Sequence, residues 1–268
     1  MQQWMALMVP EILVSDTAQQ LAFNAAQWLV QQIQEHQQNQ TRLFSLALAG
    51  GGTPKRLYEL LASHSMASRL DWQRILLLWG DERNVPESHP DSNVRMARLS
   101  LIDHVPIPVK NVLYVPDSGG DPGQVADSYE LLLRDRLPIT AQGWPEIDCV
   151  LLGLGDDVHT ASLFPQTIAL QEKTRWVVAN QVPKLACWRI TLTFPAINAA
   201  SRVAFLISGS SKSQSLDILW NGPRIAEQYP AQSVAPAVGI LKFFVDRDAL
   251  GTVQPPESWR LCRIDETK

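Results

Sequence analysis

The stretch Phe44-Ser-Leu-Ala-Leu-Ala-Gly-Gly-Gly-Thr-Pro-Lys-Arg-Leu-Tyr-Glu-Leu-Leu-Ala62 reads as a strand, a glycine turn and a helix. Phe44–Leu48 is a near-continuous apolar run, the pattern of a strand covered on both faces of a parallel sheet. Residues 55–62 carry on as a helix. Between them, Gly50-Gly51-Gly52-Thr53-Pro54 lets the backbone come close to a ligand. Unpaired amides and the positive end of the helix dipole meet at the start of that helix and favour an anion. The Gly-Lys-Ser/Thr ending of a Walker A loop is missing. A tight strand-to-helix turn without a ligand accounts for this stretch alone equally well.

The same alternation extends outward. Short apolar runs recur at Ile75–Trp79, 112–115, Cys149–Leu152, 176–178 and 203–207, and helical patterns at 16–38, 124–137 and 212–220. In the first of these helices Asp16 can cap and Gln19 follows three positions later. Leu21, Ala22, Ala25, Leu29 and Ile33 share one face, and the glutamine-rich run after them is its exposed end. Strand and helix in alternation indicate the α/β class: a parallel sheet flanked by helices with right-handed crossovers. No long linker and no repeat divides residues 1–268, so one domain is expected. The last ten residues look polar and loosely held.

Composition narrows the function. Of 268 residues, 46% are apolar and 19% charged, and the net charge is -4. That balance speaks against a nucleic-acid or anionic-membrane surface. Cys149, Cys187 and Cys262 are too scattered for a disulfide framework or a zinc site, and suit a reducing compartment. The opening Met1–Asp16 has no basic segment or long apolar run, so no signal peptide is expected. No apolar stretch approaches the length of a transmembrane helix. A cytoplasmic protein follows. Its oligomeric state leaves no mark in the sequence.

Four polar or glycine-rich segments follow directly after expected strands, where open α/β sheets bind ligands. The first is the glycine turn. The second, Gly80-Asp81-Glu82-Arg83, offers an arginine for an anionic group, or else a solvated charge cluster. The third, Gly153-Leu154-Gly155-Asp156-Asp157-Val158-His159-Thr160, lacks the third glycine of a dinucleotide fingerprint. In it a tight turn lets Asp157 orient His159, the pairing of a general base. The pair could also ligate a metal, but no His or Cys cluster completes such a site. The fourth, Ser208-Gly209-Ser210-Ser211-Lys212, puts a lysine at a helix start. Arg189 heads the strand Arg-Ile-Thr-Leu-Thr, and with Lys212 can supply the charge that a phosphate needs.

Taken in order these segments resemble the 6-phosphogluconolactonases, within the larger group that includes the glucosamine-6-phosphate deaminases. The matching stretches are Ala49-Gly-Gly-Gly-Thr-Pro54, Trp79-Gly-Asp-Glu-Arg-Asn-Val-Pro86 with His89, Ser92 and Asn93, the run from Gly153 to Pro165, Arg189-Ile-Thr-Leu-Thr193, Gly209 to Lys212, and Pro230-Ala-Gln232. The resemblance implies a modified Rossmann-like sheet, no metal, no organic cofactor, and a small phosphorylated sugar lactone as partner. By similarity Gly51, Gly52, Thr53, Arg189 and Lys212 line a phosphate site and Asp81 belongs to the substrate contacts. His159 activates water beside Asp157, and Arg83 faces the lactone. The chemistry suits these residue types. A histidine, with an unperturbed pKa of ~6.5, can take a proton from water near neutrality. A cation near the carbonyl oxygen stabilises the tetrahedral intermediate.

Two rivals follow from the same residues. The deaminases typically carry Tyr where Arg83 stands, and use a Glu at the position of Phe164, so the hydrolase reading ranks above deaminase–isomerase chemistry. The family normally reads Asp-Gly-His where this chain reads Asp157-Val158-His159. A valine at positive φ is strained by roughly 1–3 kcal/mol. That opens a second rival, a catalytically weak sugar-phosphate-binding protein. Ala49 and Gly52, where the family often has Ser, are milder departures.

Overall fold

Four buried strands that lie side by side set the position of everything that follows. The computed structural model describes residues 9–116 and 121–262. Its strands are β1 (Glu11–Ser15), β2 (Phe44–Leu48), β3 (Ile75–Trp79), β4 (Asp81–Arg83), β5 (Cys149–Leu152), β6 (Val177–Val182), β7 (Cys187–Leu192), β8 (Arg202–Ile207), β9 (Ile240–Asp246) and β10 (Arg260–Cys262). The helices are α1 (Ala18–Asn39), α2 (Gly52–Ala62), α3 (His64–Ala67), α4 (Asn93–Ser100), α5 (Pro122–Arg136), α6 (Phe194–Asn198), α7 (Ser213–Asn221) and α8 (Arg247–Leu250). Seven strands form a sheet in the order β10-β1-β9-β8-β5-β2-β3, every neighbouring pair parallel. Every residue of β2, β3 and β5 is buried, as expected for strands covered on both faces.

From β2 the chain steps outward to β3, then returns to the other side of β2 to lay down β5 and, beyond it, β8. The order therefore reverses between β2 and β5. Such a switch point opens a crevice at the carboxyl ends of the strands. The four segments singled out above follow β2, β3, β5 and β8, which are consecutive in the sheet.

A second sheet, in the order β4-β7-β6, is antiparallel and stands beside that crevice. Val177 and Val178 of the run at 176–178 belong here, in β6, and not in the parallel sheet. An apolar run reports burial, and burial alone does not say which sheet provides it. The run at 112–115 forms no strand. Val112 makes one bridge to Leu77, and Leu113 donates to the Leu77 carbonyl at 2.8 Å. Prolines at 106, 108 and 116 flank it and cannot donate to a ladder.

The cap of α1 is Thr17, which accepts from the Gln20 amide at 3.1 Å, and not Asp16. Asp16 pairs instead with Arg247, 2.6 Å away. Strands β1, β9 and β10 were not foreseen. A charge interrupts β9 at Lys242, which is buried and neutralised by Glu11 of β1 at 2.8 Å. The tail read as loosely held begins with β10, paired to β1. Residues 1–8, the first half of the Met1–Asp16 segment in which no signal peptide is expected, and residues 263–268 lie outside the described residues. Among the described residues no helix is long and apolar enough to cross a membrane.

The amino ends of the central strands are tied by one buried carboxylate. Asp148 accepts two bonds from Arg42, at 2.5 and 2.7 Å, and both the amide and the hydroxyl of Ser45, each at 2.9 Å. His36 stands 3.4 Å away and packs against Phe44 edge to face. A buried charge with all of its acceptor sites occupied can be retained in a core.

Candidate active site

The crevice at the switch point is a cleft of about 280 Å³, lined by Gly51 after β2, Asp81 and Arg83 after β3, Gly155 and His159 after β5, and Lys212 after β8. A second lobe of about 290 Å³ shares Asp81, Arg83 and His159 and adds Asp157, Lys184 and Arg189. All four segments thus meet, and seven of the nine expected site residues line one lobe or the other. Gly52 and Thr53 do not. They form the first turn of α2, next to the cleft, and their amides have no helical carbonyl to reach. Gly51 caps that helix at φ +104°, a conformation that L side chains rarely adopt.

In the β5 loop His159 Nδ1 lies 2.5 Å from Asp157 Oδ1, and Lys184 Nζ lies 3.0 Å from the other oxygen. The hydrogen bond from His159 holds the Asp157 carboxyl well below the usual carboxylate range, and Lys184 adds to this against the opposing effect of burial. An ionised carboxylate only accepts, so Nδ1 carries a proton, and in the neutral imidazole the lone pair is on Nε2. The imidazole also stacks on Phe164, centroids 3.9 Å apart. A Cβ on Gly155 would come within 2.0 Å of His159 Nδ1, so the ring takes its place only because residue 155 has no side chain.

Val158 adopts φ +61°, the strained branch of the two that the sequence left open. The valine side chain is buried, its carbonyl accepts from the Ala231 amide at 2.9 Å, and the Asp157–His159 pair is intact. Packing and a backbone bond therefore hold a conformation that Val158 alone disfavours.

The small sheet supplies two of the cations. Arg83 on β4 and Arg189 on β7 are directly opposite each other. The Nε atoms of both are buried and have no hydrogen-bond partner among the described residues. Two like charges facing across a ladder destabilise it, and an anionic ligand would offset that repulsion. Arg83 also donates to the Asp91 carbonyl. Glu82, between two cleft residues, points away and is no solvated charge. It accepts from the amides of Arg83, Asn93 and Val94 at 2.6–2.7 Å and from the Ser92 hydroxyl at 3.1 Å, binding the start of α4 to β4. Burial pushes its carboxyl above the usual range, opposed by those amides.

Four contributors went unassigned in the sequence. Asn93 lines the cleft and donates to the Asp81 carbonyl at 2.9 Å. Ser162 donates to the Asp81 carboxylate at 2.6 Å. Gly155 makes room for His159, and Lys184 holds Asp157. Asn93 stands among the motif residues and could have been assigned. Lys184 comes from the hairpin between β6 and β7, 27 positions from its partner, and no local pattern signals it. Among the described residues no group of three or more His, Cys, Asp or Glu is placed to hold a metal ion.

Residues 16–242 match the family model described as glucosamine-6-phosphate isomerases/6-phosphogluconolactonase. The chain belongs to this family. A 6-phosphogluconolactonase of Synechocystis sp. is 43% identical over 79% of this chain and 85% of its own length. A second, from Nostoc sp., is 42% identical over 77% and 83%. Among solved structures, the 6-phosphogluconolactonase of Trypanosoma brucei superposes with a TM-score of 0.80 at 29% identity, covering 92% of this chain and all of that one. A monomeric glucosamine-6-phosphate deaminase superposes with a TM-score of 0.74, but at 21% identity that likeness concerns the fold alone. Within the family's two chemistries this chain has Phe164, not a carboxylate, against the loop histidine.

Proposed function

We propose that this chain hydrolyses 6-phospho-D-glucono-1,5-lactone to 6-phosphogluconate in the oxidative pentose phosphate pathway. One observation carries the reading: an Asp157-oriented histidine opens onto a cleft with cations on both sides of it. His159 Nε2 takes a proton from water, and the resulting hydroxide attacks the lactone carbonyl carbon. The negative charge that develops on the carbonyl oxygen is met by Arg83. The ring C–O bond then breaks, and the C5 oxygen leaves with the proton held by His159. Asp157 stays ionised throughout and supports the imidazolium.

The amides of Gly51, Gly52 and Thr53 at the start of α2, with Arg189 and Lys212, hold the substrate's phosphate, and Asp81 contacts the sugar. Binding the remote phosphate fixes the reacting carbon against the water. We place all 268 residues in one domain of this type, in the cytoplasm. Phe164 speaks against the deaminase reading, because a phenyl ring cannot relay the proton that ring opening requires. The intact Asp157–His159 pair speaks against a disabled binding protein. The test is acid release from freshly generated 6-phosphogluconolactone, followed above the spontaneous rate. Rapid release supports the reading. Release at the spontaneous rate, with saturable binding of 6-phosphogluconate, would reduce the chain to a binding protein.

A further inference from the structure

We infer that Asp156 is an intramolecular competitor for the phosphate group of the substrate, occupying Lys212 whenever the phosphate does not. The inference rests on the reading of Lys212 as a phosphate ligand. The two consecutive carboxylates of the β5 loop each meet a lysine from a different element: Asp157 meets Lys184 at 3.0 Å, and Asp156 meets Lys212 at 2.6 Å. They differ in what surrounds them. The Asp157 side chain is 22% exposed and also holds His159, whereas that of Asp156 is 73% exposed and its hydrogen bond goes to Lys212 alone among the described residues. Lys212, in contrast, is 27% exposed and lines the cleft together with Gly51 and His159. The cation lines the first lobe of the cleft, and its far more exposed counter-ion lines the second lobe beside it.

An exposed ion pair of this kind is weak. A phosphate carries close to two negative charges and three acceptor oxygens, and it also reaches the free amides of α2. It therefore displaces Asp156, which is free to turn into solvent. The other carboxylates of the cleft cannot take the same part, because Asp81 is engaged by Ser162 and Asp157 by His159 and Lys184. The product carries the same phosphate as the substrate and meets the same competitor. Asp156 thus raises the dissociation constants of both, and shortens the stay of the product.

The test is a titration of Asp156→Asn and of wild type with 6-phosphogluconate, with inorganic phosphate and with gluconate. We expect both phosphate-bearing probes to bind about threefold tighter to the variant at low ionic strength, with the difference shrinking as salt is added. Gluconate, which has no phosphate, binds both proteins alike. A gain in affinity cannot come from damage to the fold, and Asp156→Ser gives the same direction. Equal or weaker binding of inorganic phosphate by both variants overturns the proposal. Lys212→Met separates the role of Lys212 from that of Asp156. If it leaves 6-phosphogluconate affinity untouched, the assignment of Lys212 fails and Asp156 with it. If it weakens binding at least tenfold while Asp156→Asn changes nothing, only the role of Asp156 fails.

Discussion

Two aspartate–histidine pairs stand at opposite ends of β5. At its amino end Asp148 faces His36 at 3.4 Å, and at its carboxyl end Asp157 holds His159 at 2.5 Å. The residue types are the same, yet the two do different things. Asp148 is 2% exposed, and its oxygens are taken by Arg42 and Ser45 before His36 arrives. The second nitrogen of His36 is 3.1 Å from the Arg42 carbonyl, so both sides of that ring face the protein. Asp157 has fewer partners, and the ring it orients lines both lobes of a cleft. Enclosure and a full set of partners make the first pair a tie between strands. An opening on one side gives the second access to a ligand, which the proposed role of His159 as a base requires.

The largest effect should come from breaking the closed pair. Asp148→Ala leaves the Arg42 guanidinium and the Ser45 amide without their acceptor, and should lower stability by about 3 kcal/mol, the scale for removing one partner of a buried ion pair. Denaturant unfolding reads this directly. The folded fraction should keep its turnover, since the change lies at the far end of β5; a loss of turnover in fully folded protein would erase the contrast between the two ends.

Next comes the open pair. In Gly155→Ala the new methyl group meets His159 Nδ1, and the ring must move. Displacement of a catalytic group by about an ångström costs on the order of 10²-fold in rate. We expect that loss in kcat together with a melting temperature close to that of wild type. Wild-type kcat in this variant would show that the ring has another place from which to work.

Val158→Gly should do least. Glycine relieves the backbone at φ +61°, but it also removes a buried side chain and gives the unfolded chain more freedom. These effects oppose each other, so stability should shift by no more than ~1 kcal/mol and kcat by less than about threefold. A large rise in kcat would mean that the strain at Val158 holds His159 away from its best position.

The sequence made the carboxyl end of the sheet readable because its signals are local. Each glycine turn directly follows its strand, and Asp157 and His159 are two positions apart. The smaller sheet was hidden, since an apolar run such as 176–178 does not say which neighbours cover it. Strand β9 was hidden by Lys242, a charge that only the distant Glu11 makes tolerable in a core. Lys184 and Ser162 were hidden for a similar reason: their partners Asp157 and Asp81 lie 27 and 81 positions away. Neither residue type announces such a bond. The burial of Glu82 is not legible in the sequence, because its partners are backbone amides of Asn93 and Val94, which no side-chain pattern records.

In the proposed reaction His159 performs the chemistry while other groups perform the binding. Replacing it with glutamine and measuring two quantities tests this most directly: kcat for 6-phosphogluconolactone hydrolysis, and the dissociation constant of 6-phosphogluconate. With His159 as the base, kcat should fall by at least ~10²-fold while the dissociation constant stays within about threefold of wild type. Retention of wild-type kcat in His159→Gln would contradict it and place the base elsewhere in the cleft.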